Sequence, residues 1–211
     1  MAGLTRRSWL AMCGLTPLAG GLLALASGGG HRLVITSARE RIRRRHLPNV
    51  PLRTHDGRTV RFYDDLIKDK IVTLNLMYAR CQGICLPVTE NLVKVQRLLG
   101  DRVGRDIFMY SISIKPEQDT PDVLRHYAEV YGVGPGWLFL TGAPDDVELL
   151  RRGLGFVDPD PARDADKSNH TGMVRYGNEP LQLWAACPGL SNPEAIAKSI
   201  LRADWPERRA G

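Results

Sequence analysis

Stretches of apolar residues alternate with stretches of helical periodicity through the middle of the chain. Ile71–Tyr78 contains only two polar residues and is rich in β-branched and aromatic types, which is typical of a buried strand. Apolar residues then recur at helical spacing as far as Leu99, and Gly100 follows, so the pattern predicts an amphipathic helix that ends there. Two more buried strands are predicted downstream, at Ile107–Ile114 and at Trp137–Leu140.

Proline at the first helical position marks three later helices. We expect them at residues 121–131, 144–152 and 193–201. Thr120 is the predicted N-cap of the first helix, and Asn192 is the predicted N-cap of the last, because both residues can accept a hydrogen bond from a helical N–H.

Two hairpins flank this alternating core. His55-Asp56-Gly57 predicts a hairpin of short strands ahead of it, and Gly177-Asn178 predicts a second one, with strands at Met173–Tyr176 and Leu181–Ala185. An acidic, proline-bearing loop, Phe156–Asn169, precedes the second hairpin. Alternation of strands and helices implies parallel pairing, and the late hairpin adds antiparallel edges. The order predicts an α/β fold, a thioredoxin-like three-layer sandwich with an added N-terminal hairpin.

The N-terminus has the layout of an export signal. Arg6-Arg7 precede an uncharged apolar run that ends in the small residues Ala24-Leu25-Ala26. The paired arginine resembles a twin-arginine leader. An uncleaved membrane anchor stays open, because Ser8–Ala26 has 19 residues and is just long enough to span a bilayer. We therefore expect residues 1–26 to direct export, with the protein either periplasmic or anchored at the outer face of the inner membrane.

Residues 27–46 are rich in glycine and then in arginine, and we expect a solvated linker there. Contact of its arginine cluster with anionic lipid head groups, near an N-terminal anchor, is the alternative. The folded domain is expected over residues 47–205, with 206–211 as a tail.

Composition narrows the class of protein without identifying it. The chain has 211 residues and 43% apolar content, which is enough for one domain with extensions. Its formal charge of +6 is modest, and basic and aromatic residues are not interleaved, so no nucleic-acid partner is expected.

Cysteine usage points to chemistry at the junction of the first central strand and its helix. Cys13 belongs to the predicted leader, which leaves Cys81, Cys85 and Cys187, an odd number for an exported protein. Cys81 and Cys85 lie where a helix N-terminus favours a thiolate. Because they are four residues apart, they face the same side of a helical turn and can close a disulfide or hold one soft ion. A structural disulfide, a redox pair and a metal site all remain open at this point.

A histidine as third ligand would let such a site hold both oxidation states of copper. His126 is expected at the surface of a helix, and His55 is expected to be an ordinary turn residue. His170 closes the acidic loop directly before the strand at Met173. In a thioredoxin-like fold this loop lies beside the thiol turn, although a lone loop histidine is usually solvated.

The chain resembles the Sco/SenC family of copper-binding assembly factors for cytochrome oxidase. The resemblance covers Asn49–Leu201 and rests on the segments HDGRTVRFYDDL, LNLMYARCQGICLPVTENLVKVQ, SISIKPEQDTPDVLRHYAEVYG, WLFLTGAPDDVELLRRGLG and NHTGM. It implies a thioredoxin-like fold and copper, as Cu(I) or Cu(II), bound by Cys81, Cys85 and His170.

Three positions depart from the family pattern. Gln82-Gly83-Ile84, Lys115 and Asn169 stand where the family usually or often has an acidic residue. Each change removes negative charge near the site. Compared with the family pattern, the affinity for copper should therefore be lower, and thiol-disulfide redox chemistry should be more favoured. Cys187 is an additional thiol, which we interpret as a buried free cysteine, with a resolving thiol as the alternative.

Two functions follow from these residues. The first is a non-enzymatic metallochaperone that passes copper to the dinuclear copper site of a cytochrome oxidase subunit. The alternative is an enzyme, a thiol-disulfide oxidoreductase in which Cys81 attacks, being the more exposed thiol, and Cys85 resolves the mixed disulfide. Peroxidase activity is a weaker third possibility, since nothing further in the chain supports it.

Overall fold

The structure is a computed structural model that describes residues 37–166 and 171–204. Within this part of the chain seven strands and six α-helices follow one another. Their bounds are α1 Ala38–His46, β1 Pro51–Thr54, β2 Thr59–Arg61, β3 Ile71–Met77, α2 Cys85–Leu99, β4 Ile107–Ser113, α3 Pro121–Val130, β5 Trp137–Thr141, α4 Pro144–Gly153, α5 Pro161–Ala165, β6 Met173–Asn178, β7 Leu183–Pro188 and α6 Pro193–Arg202. A π-helical turn, Phe62–Ile67, leads from β2 towards β3.

All seven strands form one mixed sheet in the order β2-β1-β5-β4-β3-β6-β7. The three central strands β3, β4 and β5 are parallel, whereas β1, β2, β6 and β7 pair in antiparallel fashion. Every residue of β3 is buried, because the strand lies between β4 and β6 and both faces of the sheet are covered. The predicted α/β fold, with a parallel centre and an added N-terminal hairpin, is confirmed.

Helices cover the sheet on two sides. The Thr89 and Tyr127 hydroxyls are 2.9 Å apart, which joins α2 to α3 on one face, and α6 packs against α2. On the other face Arg175 of β6 donates a hydrogen bond of 3.0 Å to the carbonyl of Gly155, directly after α4. Successive side chains of a strand point to opposite faces of the sheet, so Arg175 and its buried neighbour Val174 point into different layers of the fold. These layers correspond to the predicted three-layer sandwich.

A polar chain crosses the middle of the sheet and accounts for a polar residue in an otherwise apolar strand. The Trp137 indole N–H donates to Ser111 Oγ at 2.9 Å, and Ser111 Oγ donates to Asn75 Oδ1 at 2.8 Å. The register sets Asn75 opposite Ser111 on neighbouring strands. Because each buried group has a partner, the chain carries little cost in stability.

The predicted helix starts are also found. Thr120 Oγ1 accepts a hydrogen bond from Val123 N, and Asn192 Oδ1 accepts one from Ala195 N, so both residues cap their helices as expected. Gly100 has φ +56° directly after α2, a backbone conformation that L side chains rarely adopt.

The predicted linker at 27–46 requires a correction, because its second half is helix α1. Ser37 caps this helix by accepting from Glu40 N, and the Glu40 carboxylate contacts Arg43 at 2.7 Å and Arg44 at 2.6 Å. Pairs three and four residues apart stabilise a helix, and arginine is a good helix former, so the charged run folds instead of remaining a linker.

Helix α1 is attached to the domain through a buried carboxylate. Glu179 is fully buried in the turn between β6 and β7 and accepts hydrogen bonds from Arg39 Nε at 2.7 Å, Tyr63 Oη at 2.9 Å and Asp69 N at 2.9 Å. Burial acts to raise the pKa of Glu179, but the hydrogen bond from Arg39 and its other donors outweigh burial, so the pKa lies below its usual range.

The second hairpin turns later than the sequence predicts. The turn lies at residues 179–182, not at Gly177-Asn178, so the first strand runs on to Asn178 and the second covers Leu183–Pro188. Gly177 is needed inside β6 because a Cβ there would overlap the Trp184 ring on the next strand. The acidic loop also contains a short helix, α5, capped by Asp160.

No helix within residues 37–166 and 171–204 is long and apolar enough to cross a membrane. The predicted leader at 1–26, residues 27–36 of the linker and the tail at 206–211 lie outside the described residues.

Candidate functional site

The two thiols predicted to act together lie in the turn between β3 and α2. β3 ends at Met77, Cys81 follows in the turn, and Cys85 is the first residue of α2. Ile84 is the N-cap of this helix and provides no side-chain hydrogen bond. The N–H groups of the first helical turn therefore remain available to the sulfur atoms, as expected for a helix N-terminus.

The two sulfur atoms are in hydrogen-bond contact, and Cys81 is the more acidic thiol. Burial acts to raise the pKa of Cys81, but hydrogen bonds from the Cys85 thiol, the backbone N–H groups of Cys85 and Gly83, and the Tyr78 hydroxyl lower it below the ordinary value. The bond from Gly83 N to Cys81 Sγ measures 3.4 Å. A thiolate at Cys81 is thus solvated by protein donors.

Cys85 has the opposite character. Burial, followed by the hydrogen bond to Cys81 and the nearby Cys81 charge, raises the pKa of Cys85 well above the ordinary value. The hydrogen bond that the Tyr78 hydroxyl donates to Cys81 raises the pKa of Tyr78 to about 12, so Tyr78 keeps its proton. The pair therefore combines one acidic thiol with one that holds its proton.

Cys81 is the more exposed of the two thiols, as expected, but both are buried. Cys81 is 4% exposed and Cys85 is 2% exposed, so both are buried. The turn folds back over the sulfur atoms, and Cys81 N donates to the Tyr78 carbonyl at 3.2 Å. The two thiols therefore differ more in pKa than in exposure to solvent.

A buried carboxylate supports the turn from below. Asp119 is 1% exposed, and its Oδ2 accepts hydrogen bonds from Ala79 N at 3.0 Å and from Ser113 Oγ at 2.5 Å. Its negative charge contributes to the raised pKa of Cys85. The Lys115 ammonium lies 4.1 Å from the centre of the Tyr78 ring, so the residue that replaces a family aspartate contacts the turn as a cation.

The third predicted ligand, His170, and its neighbour Asn169 lie outside the described residues. The described residues on either side of them are close to the thiol turn. A Cβ at Gly172 would overlap the Ile84 side chain, and the charge of Asp166 contributes to the raised pKa of Tyr78.

In the part of the chain that the structure describes, no group of three or more His, Cys, Asp or Glu residues could hold a metal ion. The described candidates for ligands are therefore the two thiols alone. Thiolates are soft ligands that suit Cu(I), so the donor chemistry fits copper, while its completion depends on a residue beyond the described ranges.

His126, His55 and Cys187 lie on elements other than the thiol turn. His126 is exposed on α3, and His55 accepts a hydrogen bond from Phe139 N at 3.1 Å in the first hairpin turn. Cys187 lies half-buried on the edge strand β7, opposite Val174, and burial raises its pKa. A resolving role for Cys187 has no support from this position.

Sequence reasoning missed Tyr78 and Asp119 as parts of the site. A tyrosine at the end of an apolar strand looks like a core residue, and Asp119 looks like a member of the helix start at Thr120. Only the fold brings these two residues to the thiols. The resulting arrangement can bind a soft cation, or it can exchange disulfides by attack from Cys81.

Comparison with known proteins reveals relatives over most of the described region. The family model described as SCO1/SenC matches residues 45–203. A curated relative, a SCO1 protein homolog from Bacillus subtilis, is 30% identical over 88 residues, which cover 41% of this chain and 44% of that protein. The match thus spans less than half the length of this relative.

Solved structures share the fold. A SCO1/SenC family lipoprotein from Bacillus anthracis is 22% identical, with 74% of this chain and 92% of that chain covered and a TM-score of 0.60. Yeast Sco1 with copper bound is 20% identical, with 77% and 93% covered and a TM-score of 0.59. These similarities confirm the predicted thioredoxin-like sandwich.

Proposed function

Because the chain belongs to the SCO1/SenC family, we propose that it is an exported metallochaperone that delivers copper to the dinuclear copper site of a respiratory cytochrome oxidase subunit. The observation that carries the proposal is the pair of hydrogen-bonded thiols at the N-terminus of α2, one of which is acidic. Proteins of this family are copper-binding cytochrome c oxidase assembly proteins, and the solved yeast relative has copper bound.

The proposed ligands are Cys81, Cys85 and His170. Support for His170 comes from its neighbours, since Gly172 lies against Ile84 of the thiol turn. Two residues span at most about 7 Å of chain, and we propose that this lets the imidazole at position 170 reach the sulfur atoms. A nitrogen ligand beside two thiolates suits both Cu(I) and Cu(II).

The residues of the turn have distinct parts in holding and releasing copper. Hydrogen bonds from the N–H groups of Gly83 and Cys85 and from the Tyr78 hydroxyl lower the pKa of Cys81 and so favour its thiolate. Cys85 must lose its proton to become a ligand, so copper binding is accompanied by proton release. A client thiolate can then take the place of Cys81, the ligand best able to exist alone as an anion.

Copper binding to the reduced protein tests this proposal. We expect about one Cu(I) per chain in competition with a Cu(I) chelator, and loss of most of that affinity in Cys81→Ala, Cys85→Ala and His170→Ala. Cys187→Ala is the matched control, because Cys187 lies half-buried on the edge strand β7. Unchanged affinity in Cys81→Ala would refute the function, whereas unchanged affinity in His170→Ala alone would remove only that ligand.

The pKa difference between the thiols favours a second candidate, a thiol-disulfide oxidoreductase. Cys81 can attack a disulfide as a thiolate, while Cys85 keeps its proton until it resolves the mixed disulfide. The reduction potential of the pair, measured in glutathione buffers, tests this role. A pair too stable for the glutathione pool to reduce would be a structural bridge and would exclude the enzyme.

Export is part of the proposal and rests on the leader pattern of residues 1–26. We propose that it brings the domain to the periplasm, or anchors it at the outer face of the inner membrane. Arg6→Lys combined with Arg7→Lys should hold the protein in the cytoplasm if a twin-arginine pathway exports it. Unchanged fractionation of this variant would exclude that pathway.

A further inference from the structure

An open groove lies between helix α3 and the thiol turn, and the copper and redox proposals do not use it. We call it the α3 groove; its lining includes Ala79, Arg80, Val123, His126, Tyr127 and Val130. Its volume is about 530 Å³. This lies within the range of clefts that bind small molecules or side chains.

One wall of the α3 groove is rigid and apolar. Val123, Tyr127 and Val130 follow one another at helical spacing, so they share one face of α3. Tyr127 is 6% exposed and its hydroxyl contacts that of Thr89 on α2, which fixes the wall to the core. Val130, by contrast, is 64% exposed, and exposed apolar surface of this kind favours a partner.

The α3 groove is continuous with the thiols. Ala79 and Arg80 line it and directly precede Cys81 in the chain. The hydrogen bond from Ala79 N to Asp119 holds this end of the groove in place. A polypeptide lying in the groove would therefore end beside Cys81.

The charge at the rim selects the occupant. Arg80 is exposed and forms no salt bridge within residues 37–166 and 171–204. Asp122, the acidic residue at the groove, is paired with Arg125 at 3.0 Å. The charge that remains available to a ligand is therefore the positive charge of Arg80, which complements a carboxylate.

We propose that the α3 groove holds an extended segment of the client polypeptide, with an apolar side chain against Val130, a carboxylate at Arg80 and the client cysteine at Cys81. This inference deepens the proposed function and rests on it in one respect, that the client presents a cysteine. Apolar contact orients the segment, and the charge pair sets its direction.

The test uses two synthetic peptides, Ac-Asp-Leu-Gly-Cys-amide and Ac-Gly-Gly-Gly-Cys-amide, each as a mixed disulfide with 2-nitro-5-thiobenzoate. Cys81 thiolate attacks the sulfur of the peptide cysteine, the bond to 2-nitro-5-thiobenzoate breaks, and that group leaves as a coloured thiolate. Cys85 then attacks Cys81, so the protein dithiol is oxidised to a disulfide and the peptide thiol is released. Cys13→Ser and Cys187→Ser in all samples leave these two thiols alone.

We expect the Asp-Leu peptide to react roughly tenfold faster than the glycine peptide, the ratio that one well-placed apolar contact gives. Val130→Glu and Arg80→Glu should each bring this ratio towards one. Leu149→Glu, which changes an apolar residue on α4 that is 52% exposed, is the matched control and should keep the ratio. Val130→Glu on α3 and Leu149→Glu on α4 alter exposed positions, and circular dichroism checks that both variants are folded.

Equal rates for the two peptides, or a ratio that Leu149→Glu lowers as much as Val130→Glu, would overturn the proposal. Dimerisation that Val130→Glu abolishes, together with equal peptide rates, would assign the groove to a second copy of the chain and would overturn it as well. Cu(I) binding by the same variants is measured in parallel. Peptide selectivity without copper binding would refute the metallochaperone and keep the proposed role of the α3 groove. Copper binding without peptide selectivity would keep the metallochaperone and refute the role of the groove.

Discussion

Replacing Asp119 tests how a buried carboxylate supports the thiol turn. In Asp119→Ala the donors Ala79 N and Ser113 Oγ lose their shared acceptor inside the protein. Each buried donor left without a partner costs about 1–3 kcal/mol, so for the two donors we expect the free energy of unfolding to fall by about 2–6 kcal/mol. This is a large share of the total stability of a domain.

Asp119→Asn separates the charge from the hydrogen bonds, because the amide oxygen can still accept. Burial raises the pKa of Asp119, and the hydrogen bonds from Ser113 and Ala79 only partly offset this effect. A folded-state pKa above the unfolded one contributes stability below the unfolded pKa, and this is lost as pH rises through the folded pKa. The deficit of Asp119→Asn relative to wild type should therefore shrink as the pH rises above about 4.

The same substitution should change Cys85. Removing the carboxylate charge lowers the pKa of Cys85, since that charge is one of the causes of its elevation. In a background of Cys81→Ser and Cys187→Ser, we expect iodoacetamide to alkylate Cys85 faster in Asp119→Asn than in the parent. This comparison separates an electrostatic effect from a purely structural one.

Urea denaturation followed by tryptophan fluorescence measures the stabilities, and mass spectrometry follows the alkylation. Asp122→Asn is the control, because Asp122 is an exposed aspartate of α3 near the same turn. A deficit of Asp119→Asn that is constant or grows with pH would refute the account of its pKa. An unchanged alkylation rate at Cys85 would refute the electrostatic coupling between the two groups.

Three further substitutions probe other parts of the molecule. Glu179→Gln removes the buried charge that Arg39 contacts, so we expect urea denaturation to show a loss of about 2 kcal/mol; stability equal to wild type would contradict the anchoring of α1. Tyr78→Phe removes a hydrogen bond to Cys81, so the pH profile of Cys81 alkylation should move to higher pH, and an unmoved profile would contradict this contact. Gly136→Ala introduces a Cβ that overlaps the Gly104 backbone at φ +82°, so the melting temperature should fall by more than about 5 °C; an unchanged value would refute the close approach.

Periodicity and helix-start residues were sufficient to predict the central elements. The buried strand ending at Met77 and the helix ending at Leu99 are found where the apolar pattern places them. These signals are local, since each arises from a strand buried on both faces or from one apolar stripe of a helix. Thr120 and Asn192 act as caps through their own side chains, so their roles need no knowledge of the rest of the fold.

Features that depend on distant partners were not predictable. Helix α1 has hardly any apolar stripe and relies on Arg39 reaching Glu179, which is 140 residues away in the chain. Gly177 resembles a turn residue until Trp184 is seen packed on it. Tyr78 acquires its part in the site through a contact to sulfur, and Asp119 through a hydrogen bond that spans 40 residues.

The unequal acidity of Cys81 and Cys85 also provides a way to separate the two proposed functions. Copper can be held by both sulfur atoms only after Cys85 has lost its proton. The affinity for copper should therefore continue to rise with pH above the pKa of Cys81. The first step of disulfide exchange needs only the Cys81 thiolate, so its rate should level off once Cys81 is ionised. A copper affinity that levels off together with the exchange rate would mean that Cys85 keeps its proton in both reactions. The pair would then be a nucleophile with its resolving thiol, and copper would have only one sulfur ligand.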